Sequence, residues 1–411
     1  MTATAPGTGE PVDRVDRAWA WRFNLAWVGV MVGLFGPIQV LLPNQAEALA
    51  PEAKEYVLGL VTALGAACAL VANPLWGALS DRTTSRHGRR LPWIVLGVPV
   101  GALGLGVLAV APSVPVMVLG WCLVQTALGA PWAALTAAVP DQVPTAQRGT
   151  VAGYLGFAQM AGVFLAIGLA TLFPGPAGYL ACALAMTAVV APFVLLRRDR
   201  AVPGHGLGPW RWRTFLHSFW IDPRRYPDFG WAWLTRFLLN LSNALVLVYL
   251  LYFLRDQLGR GNAEFDLLLL GLANACGTVA AVVWAGVWSD RVGRRKAFVT
   301  ASGVVMGLAA LLIATTPTLP VLYLAALVLG LGFGVYTSVD FALITEVLPA
   351  SAARGKDLGV LNIASALPQV LAPAIAAPVV TRVGGYPVLF AVAGALGLLG
   401  ALLVRRIVAV P

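Results

Sequence analysis

The sequence predicts an all-α membrane protein whose twelve transmembrane helices form two pseudo-symmetric six-helix bundles. Three observations carry that expectation. Of 411 residues, 59% are hydrophobic and only 11% charged, and the mean hydropathy is +0.80. A water-soluble chain of this size could not clothe its surface with so few charges. Apolar runs of about 20 residues recur, each able to cross ~30 Å of hydrocarbon as a helix. Finally, a short polar stretch occurs twice, about half the chain apart: residues 77–90 read G-A-L-S-D-R-T-T-S-R-H-G-R-R, and residues 286–295 read G-V-W-S-D-R-V-G-R-R. A second pair follows in the same order. Asp141-Gln-Val-Pro, three residues and Arg148-Gly149 match Glu346-Val-Leu-Pro, four residues and Arg354-Gly355. Two matched pairs in one order mark an internal duplication.

Taken in order, the spans fall at about 20–42, 56–79, 91–111, 115–139, 150–173, 177–196, 229–254, 265–288, 297–315, 319–345, 357–381 and 386–404. The chain then divides into a polar N-terminal segment (1–18), a first bundle (19–196), a linker (197–227), a second bundle (228–406) and a short tail (407–411). The N-terminal segment holds too little apolar sequence for a cleaved signal peptide, so it is expected to be retained. Gly36-Pro37, Pro74, Pro131, Pro368, Pro373 and Pro378 lie within spans, where they mark kinks. Cys68, Cys122, Cys182 and Cys276 sit inside apolar runs and read as packing residues, with no disulfide or metal spacing.

Orientation follows from the 28 Lys and Arg. With the N-terminus inside, Lys54, Arg255, Arg260 and Arg382 fall outside, Arg236 lies within a span, and all the others are cytoplasmic, the C-terminal Arg405 and Arg406 among them. This bias sets the topology. It also accounts for the net charge of +10 without nucleic acid, because the charge is spread over many short loops. The linker mixes Trp and Arg (Trp210-Arg-Trp-Arg213) and reads as a segment at the inner headgroup layer.

The repeated stretch carries chemistry. Asp81 and Asp290 stand at helix ends where the dipole is negative and a carboxylate is unfavourable, so each should answer a positive group. The duplication points Asp81 toward the start of the eleventh span, around Lys356–Gly359, and Asp290 toward the fifth, around Gly149. Arg82, Arg89, Arg90, Arg291, Arg294 and Arg295 are expected to pair with Asp141 and Glu346, because the planar guanidinium grips a carboxylate at two points. With Arg148 and Arg354 they make a cytoplasmic gate, which joins the halves when closed and opens the cavity inward when released.

The doubled G-x-x-S-D-R-x(n)-G-R-R loop, with its acid-x-x-Pro…Arg-Gly companion, resembles the signature of the major facilitator superfamily from about Trp19 to Arg406. The longer first loop, Asp81-Arg82-x5-Gly88-Arg89-Arg90 followed by Leu-Pro-Trp, is similar to that of glycoside–pentoside–hexuronide and sucrose-type carriers. The stretches Gly355-Lys-Asp-Leu-Gly-Val-Leu-Asn-Ile-Ala and Tyr336-Thr-Ser-Val-Asp340 resemble the actinobacterial branch. The resemblance implies spans 1, 4, 7 and 10 around a central cavity and rocking-type alternating access. Two family features are missing. Melibiose-type carriers place acids for sodium in helices 2 and 4, and drug/proton antiporters carry Gly-Pro in helix 5; neither stands here.

Ionisable residues inside a bilayer cost about 2.5–3.5 kcal/mol each on insertion scales, so each needs a reason. Arg236 and Asp340 lie at comparable depth in spans 7 and 10 and are expected to pair, Asp340 taking up the coupling proton. Asn24, Gln39, Gln125, Trp132, Asn240, Asn243, Tyr249 and Tyr336 are the polar and aromatic residues of the cavity spans. Amides and ring faces suit a neutral polyhydroxylated solute. The expected activity is secondary transport in the cell membrane, most simply proton-coupled uptake of a sugar or glycoside by a monomer with no organic cofactor or required protein partner. Proton-driven export of a metabolite or drug, and a non-transporting sensor, stay open as alternatives. An enzyme is not expected: His87, His205 and His217 all lie in loops, and no catalytic or metal constellation converges.

Overall fold

Lipid offers the backbone no water, so each crossing must satisfy its own N–H and C=O groups as a helix. The computed structural model describes residues 15–195, 226–292, 295–347 and 354–408. Side chains at 140, 145–146, 148–150, 152–153, 283, 286–287, 289–290 and 341–362 lie outside that description. Every regular element among the described residues is helical. The long ones are α1 (Arg17–Gly36), α2 (Lys54–Arg82), α3 (Leu91–Ala109), α4 (Val114–Gln142), α5 (Thr145–Leu172) and α6 (Pro176–Leu195), followed by α7 (Pro227–Val248), α8 (Ala263–Val292), α9 (Arg295–Thr315), α10 (Leu319–Val347), α11 (Arg354–Pro378) and α12 (Gly385–Leu403). The linker and the outermost termini fall almost wholly outside the described residues.

Eleven segments among the described residues are long and apolar enough to cross a membrane. The last of them, Ile363–Arg406, runs for 44 residues. At 1.5 Å per residue that is about 66 Å, twice the hydrocarbon thickness. It breaks at Gly385, whose φ of +74° suits glycine, and so supplies two crossings, α11 and α12. The count among the described residues is therefore twelve.

Local sequence explains the ends. The Asp16 side chain accepts from the Trp19 N–H at 2.7 Å and caps α1. Proline stands in the first turn of α3, α4 and α7, where its missing N–H costs nothing. Three helices widen into π turns near one end: α1 at Pro37–Leu41, before a helical extension Leu42–Leu49; α7, beyond Tyr252, at Phe253–Gln257; and α11 at Val379–Gly384. In α1 the widening begins at the proline that cannot donate to the preceding turn.

The chain sorts into two compact units. The described parts of the first fall within Met1–Gln45 and Cys68–Gly208, and those of the second within Ala46–Ala67 and Pro209–Pro411. In the first unit α1 packs on α5 and α6, and α3 on α4 and α6. In the second, α7 packs on α11 and α12, and α9 on α10 and α12. The same four pairings thus recur six helices later. Close approach repeats as well. A Cβ at Gly129 of α4 would collide with the Asn73 side chain of α2, and one at Gly334 of α10 with the Thr278 carbonyl of α8. Each glycine lies twelve residues before the acid of its half, Asp141 or Glu346. Small residues at such crossings are what helix packing in lipid requires. Val71, Leu103, Leu119, Phe157 and Leu184 turn outward and are exposed, as suits a lipid-facing surface.

Candidate functional site

In the first unit the signature loop is an ionic clamp. After α2 ends at Arg82 the chain turns at Gly88, whose φ of +94° favours glycine, and this delivers Arg89 and Arg90 to the start of α3. Arg89 grips Asp141 at the end of α4 with both fork positions, Nη2 to Oδ1 at 2.6 Å and Nε to Oδ2 at 3.3 Å. Arg90 reaches Asp141 through Nε at 2.8 Å, Asp81 through Nη2 at 2.6 Å and the Ser80 hydroxyl through Nη1 at 2.9 Å. Arg90 is 4% exposed, so three acceptors replace the water it has lost. The compact ammonium of a lysine could not hold three acceptors spread around a planar fork. Trp93, from the Leu-Pro-Trp that follows, donates to the Thr83 hydroxyl at 2.8 Å and packs its ring 5.2 Å from Trp76. The ends of α2, α3 and α4 are thereby tied within one unit.

The other residues named for this gate are placed less fully. Arg82 closes α2, Arg291 is exposed near the end of α8, and Arg295 opens α9. Arg294 and the side chains of Arg148, Asp290, Glu346 and Arg354 lie outside the described residues, as do those around Gly149 and Lys356–Gly359.

In the second unit, α7, α10 and α11 converge on a buried polar cluster. Phe229, Ala232 and Leu239 of α7 pack with Tyr336 and Val339 of α10 in one core cluster, which holds the two helices in register. On the adjoining face the Arg236 Nη1 pairs with the Asp340 Oδ2, and its Nε donates to the Ser365 hydroxyl of α11 at 2.8 Å. Asn240, one turn beyond Arg236, donates to the Arg236 carbonyl at 2.8 Å and to the Tyr336 hydroxyl at 3.0 Å. Tyr336 stands one turn before Asp340 on α10. Asp340 is 4% exposed and Tyr336 2%. A carboxylate so deep is tolerable only because a guanidinium answers it.

Four residues named from sequence, Arg236, Asp340, Asn240 and Tyr336, thus share one cluster. The fifth member, Ser365, was not named. A serine in an apolar helix ordinarily bonds back to its own backbone, so it carried no signal. The remaining cavity residues sit elsewhere. Trp132 of α4 packs against Trp27 of α1, with ring centroids 5.2 Å apart. Asn24 donates to the Ala20 carbonyl at 2.7 Å, while its Oδ1 and the Trp27 Nε1 are buried with no hydrogen-bond partner among the described residues. Gln39 lies in the π turn of α1, Gln125 on α4 and Asn243 on α7, all half-buried. Tyr249 is 13 residues beyond Arg236, about 20 Å along the helix. Its hydroxyl donates to the Glu55 carbonyl at 2.5 Å.

Twelve apolar crossings, repeated as six and six, with a clamped polar loop and a buried ion pair, define a multi-pass helical membrane protein built by duplication. The Major Facilitator Superfamily profile matches residues 26–284 and again 232–411, and the chain belongs to that superfamily. Solved structures agree in fold. The human organic anion transporter MFSD10 (TETRAN) superposes with a TM-score of 0.70 at 21% identity, covering 94% of this chain and 99% of its own. The nucleoside transporter NupG superposes at 0.74 and 13% identity, over 95% and 99%. Among curated sequences, myo-inositol transporter 3C of Cryptococcus neoformans is 36% identical over 106 residues, 26% of this chain and 18% of that protein. Sucrose transport protein SUC4 of Arabidopsis thaliana is 32% identical over 119 residues, 29% of this chain and 21% of that protein. The chain spans about a fifth of the length of the curated relatives it matches.

Proposed function

We propose that the chain is a secondary active transporter that takes up a small neutral polyhydroxylated solute, such as a sugar or glycoside, with protons by alternating access. The observation that carries the coupling is the buried Arg236–Asp340 pair, braced by Tyr336, Asn240 and Ser365. Protonation of Asp340 would cancel its charge and free the Arg236 guanidinium, weakening the contact between α7 and α10. Loss of the proton would restore it. A proton is thereby exchanged against a helix–helix contact, which is the linkage a coupled carrier needs. The partial matches to inositol and sucrose transporters support a neutral polyol as the solute, and so do the amide and indole groups on α1, α4 and α7. In the same reading the protein is a monomer of the cell membrane with both termini cytoplasmic, works with no organic cofactor, and opens inward when the Gly-Arg-Arg loops release.

The test is uptake into liposomes by purified protein, with myo-inositol, sucrose and a panel of glycosides and cationic amphiphiles, with and without an imposed pH gradient. Gradient-driven accumulation of a polyol is expected, and Asp340→Asn should abolish the dependence on the gradient. An Asp340→Asn protein that still accumulates solute under the gradient at the wild-type rate would remove Asp340 from the coupling. A response to amphiphiles alone would favour proton-driven export.

A further inference from the structure

The two halves differ where each carries its Gly-Arg-Arg loop. Aligning Gly286-Val-Trp-Ser-Asp-Arg291 with Gly77-Ala-Leu-Ser-Asp-Arg82 sets Trp284 and Trp288 of α8 against Leu75 and Leu79 of α2. Aligning Gly293-Arg-Arg with Gly88-Arg-Arg sets Lys296 of α9 against Leu91 of α3. Three leucines of the first half are thus two indoles and an ammonium in the second. Their surroundings differ as well. Leu75 and Leu79 are half-buried and Leu91 is buried, whereas Trp284 is 55% exposed and Trp288 46%.

Trp284, Trp288 and Arg291 stand at i, i+4 and i+7 and so share one face of α8. The two indoles lie 4.3 Å apart at their ring centroids, and Trp288 meets the Phe298 ring of α9 edge-on at 5.8 Å. That contact seats the start of α9 beside this face. Arg291, next to last in α8, and Lys296, second in α9, stand either side of the two residues that join the helices. Among the described residues neither cation makes an ion pair or hydrogen bond, and neither indole N–H has a partner. The stretch 284–298 holds four cations against one acid, Asp290. In the matching loop of the first unit, Arg89 and Arg90 bind Asp141 and Asp81. Arg294 and Arg295 take those two places in the second loop, which leaves Arg291 and Lys296 surplus to a clamp.

Exposed indoles alone would make an ordinary interfacial belt. Two unanswered cations beside them change what the patch attracts. An anionic headgroup can accept from the Arg291 fork and from the Lys296 ammonium, while the indoles cover its glycerol and first methylenes. A zwitterionic headgroup brings a cation of its own and gains less. We propose that Trp284, Trp288, Arg291 and Lys296 form a binding site for an anionic phospholipid, one with no counterpart on α2 and α3. The site requires only the membrane-embedded fold and stands whatever solute the chain carries.

The full chain, solubilised in neutral detergent, is titrated with phosphatidylglycerol or phosphatidylcholine, and its lipid adducts are counted by native mass spectrometry. Phosphatidylglycerol is expected to bind about tenfold more tightly, and Arg291→Gln/Lys296→Gln to weaken it by about tenfold. Arg405→Gln/Arg406→Gln, an equal loss of charge at exposed arginines elsewhere, is expected to change it by less than about twofold. Equal binding of the two lipids, or an equal loss from the two double variants, overturns the site. Glycerol 1-phosphate at the concentration of the lipid is expected to leave the adducts intact; displacement would show that a free phosphate suffices and overturn the lipid. The indoles give an independent reading in nanodiscs. Brominated phosphatidylglycerol is expected to quench the wild-type Trp fluorescence more than brominated phosphatidylcholine does. Trp284→Leu/Trp288→Leu, which installs the residues of the first half, is expected to abolish that difference. A difference that survives places the lipid elsewhere and overturns the proposal.

Discussion

The duplicated halves place different chemistry at one recurring crossing. Trp27 stands ten residues into α1, and packs against Trp132 of α4. Arg236 stands nine residues into α7 and pairs with Asp340 of α10. Helix pairings repeat between the units, but this crossing is aromatic in one and ionic in the other. The scaffold has therefore been kept while the interior diverged. The ionic crossing can change its charge with one proton, whereas the Trp27–Trp132 pair is not titratable and offers flat apolar faces and an indole N–H with no partner among the described residues.

Substitutions at the two crossings should separate their energetics. The largest effect is expected from Arg236→Met, which strands the buried Asp340 carboxylate and should cost about 3–5 kcal/mol in thermal or denaturant unfolding of the solubilised protein. Adding Asp340→Asn should recover a large part of that loss, because no uncompensated charge then remains. A double variant no more stable than Arg236→Met alone would mean that the cluster packs through shape and not charge. Tyr336→Phe removes a hydroxyl that accepts from Asn240, and should cost about 1 kcal/mol by the same unfolding measurement. Ser365→Ala should cost about 1 kcal/mol, since Arg236 keeps Asp340. At the aromatic crossing Trp27→Phe should shift stability by less than about 0.5 kcal/mol, as it keeps a ring and removes an N–H that has no partner among the described residues. A large loss there would show that the indole nitrogen is engaged.

The bilayer explains which parts could be read in advance. Helical crossings are forced by the absence of water, so twelve apolar runs could be counted from composition alone. Arg236 and Asp340 stood out because an ionisable residue in an apolar run is rare and costly. The clamp on Asp141 was readable from the repetition of its loop. Ser365 was not, because serine in a helix has a default partner in its own backbone. Nor was the Lys54–Asp256 contact, which joins residues 202 positions apart and depends on π turns. The turn in α1 begins at Pro37 and the one bearing Arg382 directly after Pro378, whereas the one bearing Arg255 has no proline or glycine to mark it.

One backbone angle has a consequence for the whole C-terminus. The 44 residues from Ile363 to Arg406 carry no charge but Arg382 before the closing Arg405 and Arg406, and at about 66 Å they are too long to cross once, so the chain must reverse within them. The reversal happens at Gly385, in a conformation that a β-carbon would strain. The parity of membrane crossings, and with it the compartment into which Arg405 and Arg406 emerge, is thus entrusted to the one residue type that lacks a side chain.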